Sequence, residues 1–267
     1  MKKIIFGFVL VFSLFFGFLF FIFGCGTSPT GGGGIKPWIY IGNSSDNTIS
    51  IIDGSTHTTL STSIELGNYM PSGMAATLDG RKIYCSAHGT TEVLIIDTGT
   101  NSISGKIDLG VNAVSNAMAA SHDGKYLYIA TFNSSKLFRI YTATNTFESV
   151  IPGGGTLSDP PISMALNSDS TKAVIVFSGR DIDIVDLASG TENIITLTTN
   201  VMYILTDIAI KDDYAYVSEQ GSAGIGHCYV VSVETEALTK ILTCDAVYMK
   251  GIVGVPGKDK MYVSNYS

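Results

Sequence analysis

Four histidines, His57, His88, His122 and His227, are the side chains best suited to proton transfer or metal ligation, and no two stand at ligand spacing. His88 is the most promising, because it falls on a predicted loop after a strand, where proteins commonly meet ligands. Arg180, Asp181 and Asp183 form a charged patch, and Tyr69, Asp159 and Glu219 fall on comparable predicted loops. These residues read either as ligand contacts or as an ordinary solvated rim. Asp53, Asp97 and Asp186 each end a predicted strand, and a repeated aspartate there suits hydrogen bonding to the following turn better than metal binding. Cys85 lies in an apolar strand and reads as a small buried hydrophobe rather than a reactive thiol. Cys228 and Cys244 flank a predicted hairpin near Thr235, so they form a disulfide if the register brings them together. The sequence holds no EF-hand loop, P-loop, nucleophile elbow, HExxH pair or CxxCH attachment site. It therefore names no catalytic residue, no metal and no cofactor.

The elements that must position these side chains are read from composition first. The chain has 267 residues, of which 45% are hydrophobic and 15% charged, ample for a packed core. Twenty-nine glycines against seven prolines suit many tight turns between short strands. The net charge is -7, and removing Lys2 and Lys3 with the leader takes it to about -9. No cluster of Lys or Arg follows position 3, which argues against nucleic acid as a partner.

Residues 1–24 read as an address. Lys2 and Lys3 precede an apolar run from Ile4 to Phe23 in which Ser13 is the one polar side chain. A basic start followed by an apolar centre is what an export machinery recognises. Gly24-Cys25 resembles the lipobox of bacterial lipoproteins, which makes Cys25 the expected lipidation site. The run is also long enough to span a bilayer uncleaved, and ordinary signal cleavage is the third route. All three place the rest of the chain outside the cytoplasm, with residues 25–34, rich in glycine, as a flexible tether. The glycine after Cys25 fits a lipoprotein released to an outer membrane, at its periplasmic face or the cell surface.

The remainder, residues 35–267, repeats. IYIGNSSDNTISIID from Ile39, IYCSAHGTTEVLIID from Ile83 and LYIATFNSSKLFRIY from Leu127 share one phase, with Tyr40, Tyr84 and Tyr128 spaced 44 residues apart. Looser copies start at Ala173, Ala215 and Met261. A second marker, seen in SGMAATLDG at Ser72 and NAMAASHDG at Asn116, keeps Met74, Met118, Met164, Ile208 and Ile252 nearly in phase. Each unit predicts four strands, for example Met74 to Thr77, Lys82 to Ala87, Glu92 to Asp97 and Ile103 to Leu109. Four strands at this period define an all-β fold, a β-propeller of four-stranded blades, with Ala75, Ala119, Ala165 and Ala209 at the crowded axis. A β-sandwich would leave the shared phase unexplained.

The tyrosine-led strand, the IID ending, the turns TGTNSI and TATNTF, and MYVSNYS near the end together resemble the YVTN repeat of surface-layer and other cell-surface propellers, relatives of lactonase-like propellers. That resemblance covers the chain from Ile39 onward and implies seven blades, of which five to six are expected here. The first unit starts at its second strand and the last stops two strands in, which reads as truncation. Closure as five blades, with Gly251 to Val255 as the missing strand, is the alternative.

Two functions follow as expectations. The first is a non-enzymatic, envelope-anchored module that binds a protein, a glycan or another envelope component through rim loops, membrane contact being made through the N-terminal lipid or anchor. The second is a lactonase- or dehydrogenase-like enzyme with polar residues near the central channel. The predicted inner strands, rich in Met, Ala, Ile and Ser, favour the first.

Overall fold

The computed structural model describes residues 11–12, 19–24, 38–112, 115, 117–132, 134, 136–150, 160–198, 204–221, 225–244, 249–255 and 260–265, with the backbone alone for 11–12, 19–24 and 265. Every regular element among them is a strand. Four complete antiparallel sheets follow one another along the chain. The second blade is β7 (Met70–Ala76), β8 (Lys82–His88), β9 (Glu92–Asp97) and β10 (Ser102–Asp108), and the third is β11 (Ala117–Ala120), β12 (Tyr126–Ala130), β13 (Leu137–Tyr141) and β14 (Phe147–Ser149). The fourth is β15 (Pro161–Leu166), β16 (Lys172–Phe177), β17 (Asp181–Asp186) and β18 (Glu192–Thr196). The fifth is β19 (Ile204–Lys211), β20 (Tyr214–Gln220), β21 (Gly226–Ser232) and β22 (Ala237–Cys244).

The first and sixth sheets differ. β3 (Trp38–Asn43) and β4 (Thr48–Asp53) hold the second and third positions of blade 1, with the short β5 (Thr58–Thr59) and β6 (Ile64–Glu65) both paired to β4. β2 (Leu19–Gly24), from the apolar run, pairs antiparallel to β3 from Leu19↔Asn43 to Gly24↔Trp38, in the innermost position that the first repeat lacks, and β1 (Val11–Phe12) pairs with β2. β23 (Met249–Gly254) pairs with β24 (Met261–Asn265) as the start of a sixth blade, so Gly251 to Val255 do not complete blade 1 and the five-blade closure is not adopted. The innermost strands pack side by side in the order β2, β7, β11, β15, β19, β23.

The core is divided among the seams between blades. One cluster joins Tyr40, Ile49 and Ile51 of blade 1 to Ile83, Cys85, Leu94 and Ile96 of blade 2. Equivalent clusters fill the seams from blade 2 to 3, 3 to 4 and 4 to 5. A blade is therefore apolar on both faces, which explains runs such as Glu92–Asp97 with four consecutive buried residues instead of strict alternation. Cys85 is fully buried in the first of these seams and burial pushes its thiol up to about 12, the behaviour of a packed hydrophobe.

β7 begins at Met70, earlier than the sequence predicts, because the register jumps from Pro71↔Ala87 to Met74↔Cys85. The bulge absorbs Ser72 and Gly73, and Ser86 Oγ fills the gap by accepting from Gly73 N at 2.9 Å. Asp53, Asp97 and Asp186 do cap turns: Asp97 Oδ1 accepts from Thr100 N at 2.8 Å, and Asp186 Oδ1 from Ser189 N at 2.8 Å. Asp53 Oδ1 accepts from Ser55 N at 2.8 Å.

The residue four places after the end of each blade's third strand, in blades 1 to 5, has positive φ: His57, Asn101, Asn145, Gly190 and Glu236. This left-handed position does more than turn the chain, because it faces the preceding blade. Tyr40 Oη donates to Asn101 Oδ1 at 2.9 Å and Tyr84 Oη to Asn145 Oδ1 at 2.8 Å. A cation adds a second tie to the first carbonyl of the turn: Lys82 Nζ donates to Thr142 O at 2.8 Å, and Lys172 Nζ to Val233 O at 3.2 Å. Lys172 also pairs with Glu236 at 2.6 Å. Between blades 3 and 4 the turn carries Gly190, which offers no side chain, and Arg139 Nη1 reaches Leu187 O at 3.3 Å instead. Asn145→Ala is expected to lower stability by about 2–3 kcal/mol, from the loss of the half-buried acceptor of the Tyr84 hydroxyl plus left-handed strain. Asn145→Gly removes the strain and retains only the first part, so chemical denaturation of the two variants separates the contributions.

Candidate functional site

The two rims of the propeller differ in character. Turns from first to second and from third to fourth strands lie on one rim, which carries the blade-to-blade ties described above. Loops from second to third strands, and crossings from each fourth strand to the next first strand, lie on the opposite rim. That loop rim carries Tyr69, His88, Arg180 and Glu219.

Tyr69 and His88 are neighbours there, since Met70 pairs with His88 across β7 and β8. Tyr69 Oη donates to Glu92 Oε2 at 2.5 Å and accepts from Lys106 Nζ, whose ammonium lies 4.4 Å from the ring centroid. Lys106 also pairs with Glu92 at 3.3 Å. The tyrosine hydrogen bond, followed by the lysine, holds the Glu92 carboxyl below its ordinary value. His88 is half-buried at the end of β8, and the loss of water depresses its imidazole below the usual range.

Arg180 and Glu219 both flank Leu205 at a second corner. The loop at Gly179 and Arg180 accepts Leu205 N at 3.4 Å and Leu197 N at 2.9 Å, and Leu205 pairs with Glu219. Glu219 is fully buried. Its Oε1 is 2.8 Å from His227 Nδ1, and its Oε2 accepts from Tyr229 Oη. The carboxyl thus fixes the orientation of a half-buried histidine at the start of β21. His227 carried no signal as one of four scattered histidines; the pattern that identifies it is an acid ending one strand and a histidine opening the next across a hairpin. Asp159 and Cys25 lie outside the described residues, as does the segment 25–34.

Large apolar side chains complete the loop rim. Met70, Phe132, Ile204 and Ile225, from blades 2, 3 and 5, are each between 39% and 46% exposed, far above the seam residues beside them. Singly scattered exposed apolar residues are ordinary, and these four share one rim, in blades 2, 3 and 5. Among the described residues no group of three or more His, Cys, Asp or Glu is arranged to hold a metal ion.

Cys228 and Cys244 do flank a hairpin, with the turn at residues 233–236, and the two are not joined by a disulfide. The register sets Cys244 opposite Gly226 and Cys228 opposite Leu242, so the two sulfurs are diagonal neighbours on one face. A bridge needs Cα atoms within about 7 Å, which calls for movement of β22 along β21. The inner strands contribute one residue that the sequence reading passed over. Asp207, on β19, is buried; its Oδ1 accepts from Ser163 Oγ of β15 at 2.6 Å and its Oδ2 from Ile252 N of β23 at 3.1 Å. It ties three successive blades at the axis, a structural use of the acid.

These sheets, arranged radially, define the chain as a β-propeller. By structure it is similar to hydrazine synthase of Kuenenia stuttgartiensis, with a TM-score of 0.70 at 18% identity over 88% of this chain and 77% of the other. It is likewise similar to a chain of the mitotic checkpoint complex, with a TM-score of 0.70 at 11% identity over 86% and 67%. A chain of a nidogen/laminin complex aligns with a TM-score of 0.58 at 11% identity over 76% and 74%. At these identities the likeness is one of fold. No protein-family model matches the chain, and no curated protein matches it by sequence.

Proposed function

We propose that the protein is a non-enzymatic binding or scaffold propeller of the YVTN surface type, held at the cell envelope by its N-terminus. The exposed apolar side chains of Met70, Phe132, Ile204 and Ile225 on the loop rim carry this reading. Around them Tyr69, Glu92, Lys106, Glu219 and His227 are held in place by one another, so the surface is rigid before a partner arrives. Preorganisation of that kind favours recognition by lowering the ordering cost of binding. The partner is an envelope protein or glycan, and two of the structural neighbours come from protein complexes. Attachment runs through a lipid on Cys25 or through the apolar run Ile4 to Phe23, and either route withdraws Leu19–Gly24 from the pairing with β3 that the intact chain makes.

Photo-crosslinking in intact cells tests the surface. A photoreactive side chain at Phe132 or Ile225 is expected to trap an envelope component, and one at Leu78 or Ile194, exposed on the opposite rim and the outer edge, is not. Equal trapping from all four positions rejects the loop rim as the binding face. Attachment is tested separately by intact mass and detergent partitioning of the protein and its Cys25→Ser variant. Loss of a lipid-sized mass in the variant supports lipidation, and identical behaviour with residues 1–24 retained supports an uncleaved span.

A further inference from the structure

The apolar run that the N-terminus offers to a membrane is already in use. β2 pairs with β3 over six residues, from Leu19↔Asn43 to Gly24↔Trp38, and so fills the innermost position of blade 1. It lies beside β7, the innermost strand of blade 2, while β1 pairs with β2 and lies beside β23, the innermost strand of blade 6. The leader therefore stands between blades 6 and 2 and carries the innermost layer from one to the other. Among the described residues no other strand pairs with that side of β3.

The same residues cannot serve a membrane while they hold this place. A span needs about 20 consecutive apolar residues, and hydrocarbon offers backbone groups no partner, so the run must become a helix to cross. Taking residues 19–23 into the sheet leaves residues 4–18, too short a run for that, and no helix among the described residues is long and apolar enough to cross a membrane. Lipidation is opposed as well, because the pairing runs to Gly24, the residue before Cys25. Release has its own cost, since it strips β3 of its ladder partner on the inner side and leaves those backbone groups to water.

We infer that the leader is a clasp: in a chain that folds away from a membrane, Leu19–Gly24 completes blade 1 and is thereby withheld from attachment, the two uses excluding one another. The inference rests on the N-terminal attachment proposed above. A clasped chain stays in water without detergent, and attachment requires the leader to reach lipid before blade 1 forms around it. The order of these two events, more than the affinity of the run for lipid, decides which state the chain takes.

The test uses the full-length Cys25→Ser chain, which takes no lipid, and vesicles of mixed phosphatidylethanolamine and phosphatidylglycerol. Chain refolded in buffer and then mixed with vesicles is expected to float with them several-fold less than chain diluted from urea directly onto them. Amide exchange of residues 38–43 in the buffer-refolded chain is expected to be several-fold slower than in the same chain carrying Phe20→Pro and Phe21→Pro. Neighbouring strand residues turn their backbone groups to opposite sides, so one of the two prolines disrupts the ladder with β3 whichever residue faces it. Unchanged exchange of residues 172–177 in blade 4 shows that the variant is folded, and the flotation comparison, which needs no proline, decides even where it is not. Equally strong flotation by both routes, or equal exchange of residues 38–43 with and without the prolines in the folded variant, overturns the clasp. Flotation by neither route, with residues 38–43 protected, refutes attachment through the N-terminus and supports the clasp.

Discussion

Asp207→Asn is expected to stabilise the protein above pH 6 by about 3 kcal/mol, seen as a rise in Tm of roughly 6–12 °C. Burial raises the Asp207 carboxyl from 3.8 to about 6, because its hydrogen bonds from Ser163, Ile252 and Ile208 do not offset the loss of water. An acid whose folded value is raised contributes most below its unfolded value. Its contribution then falls as pH climbs from about 4 to 6 and stays low above that. The asparagine presents the same shape, accepting from Ile252 N with its oxygen and donating to Ser163 Oγ with its amide, and it carries no charge to bury. Surface acids such as Asp123, drawn down to about 2 by Ser121 and the Lys125 backbone, slope the other way. They are common to both proteins, so the difference between the two melting curves isolates Asp207. A difference that stays flat from pH 4 to 7 defeats this account. Asp207→Ala should act in the opposite direction, since it leaves the Ser163 hydroxyl and Ile252 N–H buried without their acceptor, at about 1–3 kcal/mol each.

Glu219→Ala should be the most damaging single change at the loop rim, costing about 3–5 kcal/mol. It removes a fully buried carboxyl that serves both His227 and Tyr229, and it opens a cavity beside the seam between blades 4 and 5. Glu219→Gln keeps the volume and one acceptor, and the Tyr229 hydroxyl can reverse to accept from the new amide, so most of the loss should be recovered. Urea unfolding of the three proteins decides the matter. If alanine and glutamine are equally destabilising, the carboxyl charge and not the hydrogen-bond pattern is what the site requires.

The blades were legible because Tyr40, Tyr84 and Tyr128 and the strand ends Asp53, Asp97 and Tyr141 keep a common phase, and phase survives when individual residues do not. The ties between blades were not legible. Tyr84 and Asn145 belong to different repeats, and a motif read within one repeat assigns Asn145 only to its turn. The early start of β7 was hidden for a local reason, Pro71 and Gly73 being poor strand residues that a bulge accommodates. Of the rim candidates, Tyr69 with His88 and Arg180 with Glu219 were grouped by loop position alone. Their partners Glu92, Lys106 and Tyr229 were invisible, because each sits mid-strand or at a strand end where a polar residue reads as solvent-facing.

The left-handed turn position also sets rules for rearranging the repeat. A blade can be duplicated or exchanged only if the residue it presents backward suits the donor of the blade before it. Blade 3, with Asn145, answers a tyrosine and a lysine; blade 4, with Gly190, answers neither and depends on Arg139 reaching its backbone. Placed behind blade 2, blade 4 would leave Tyr84 facing a bare turn, so the order of blades is written into the chain and the units are not interchangeable modules.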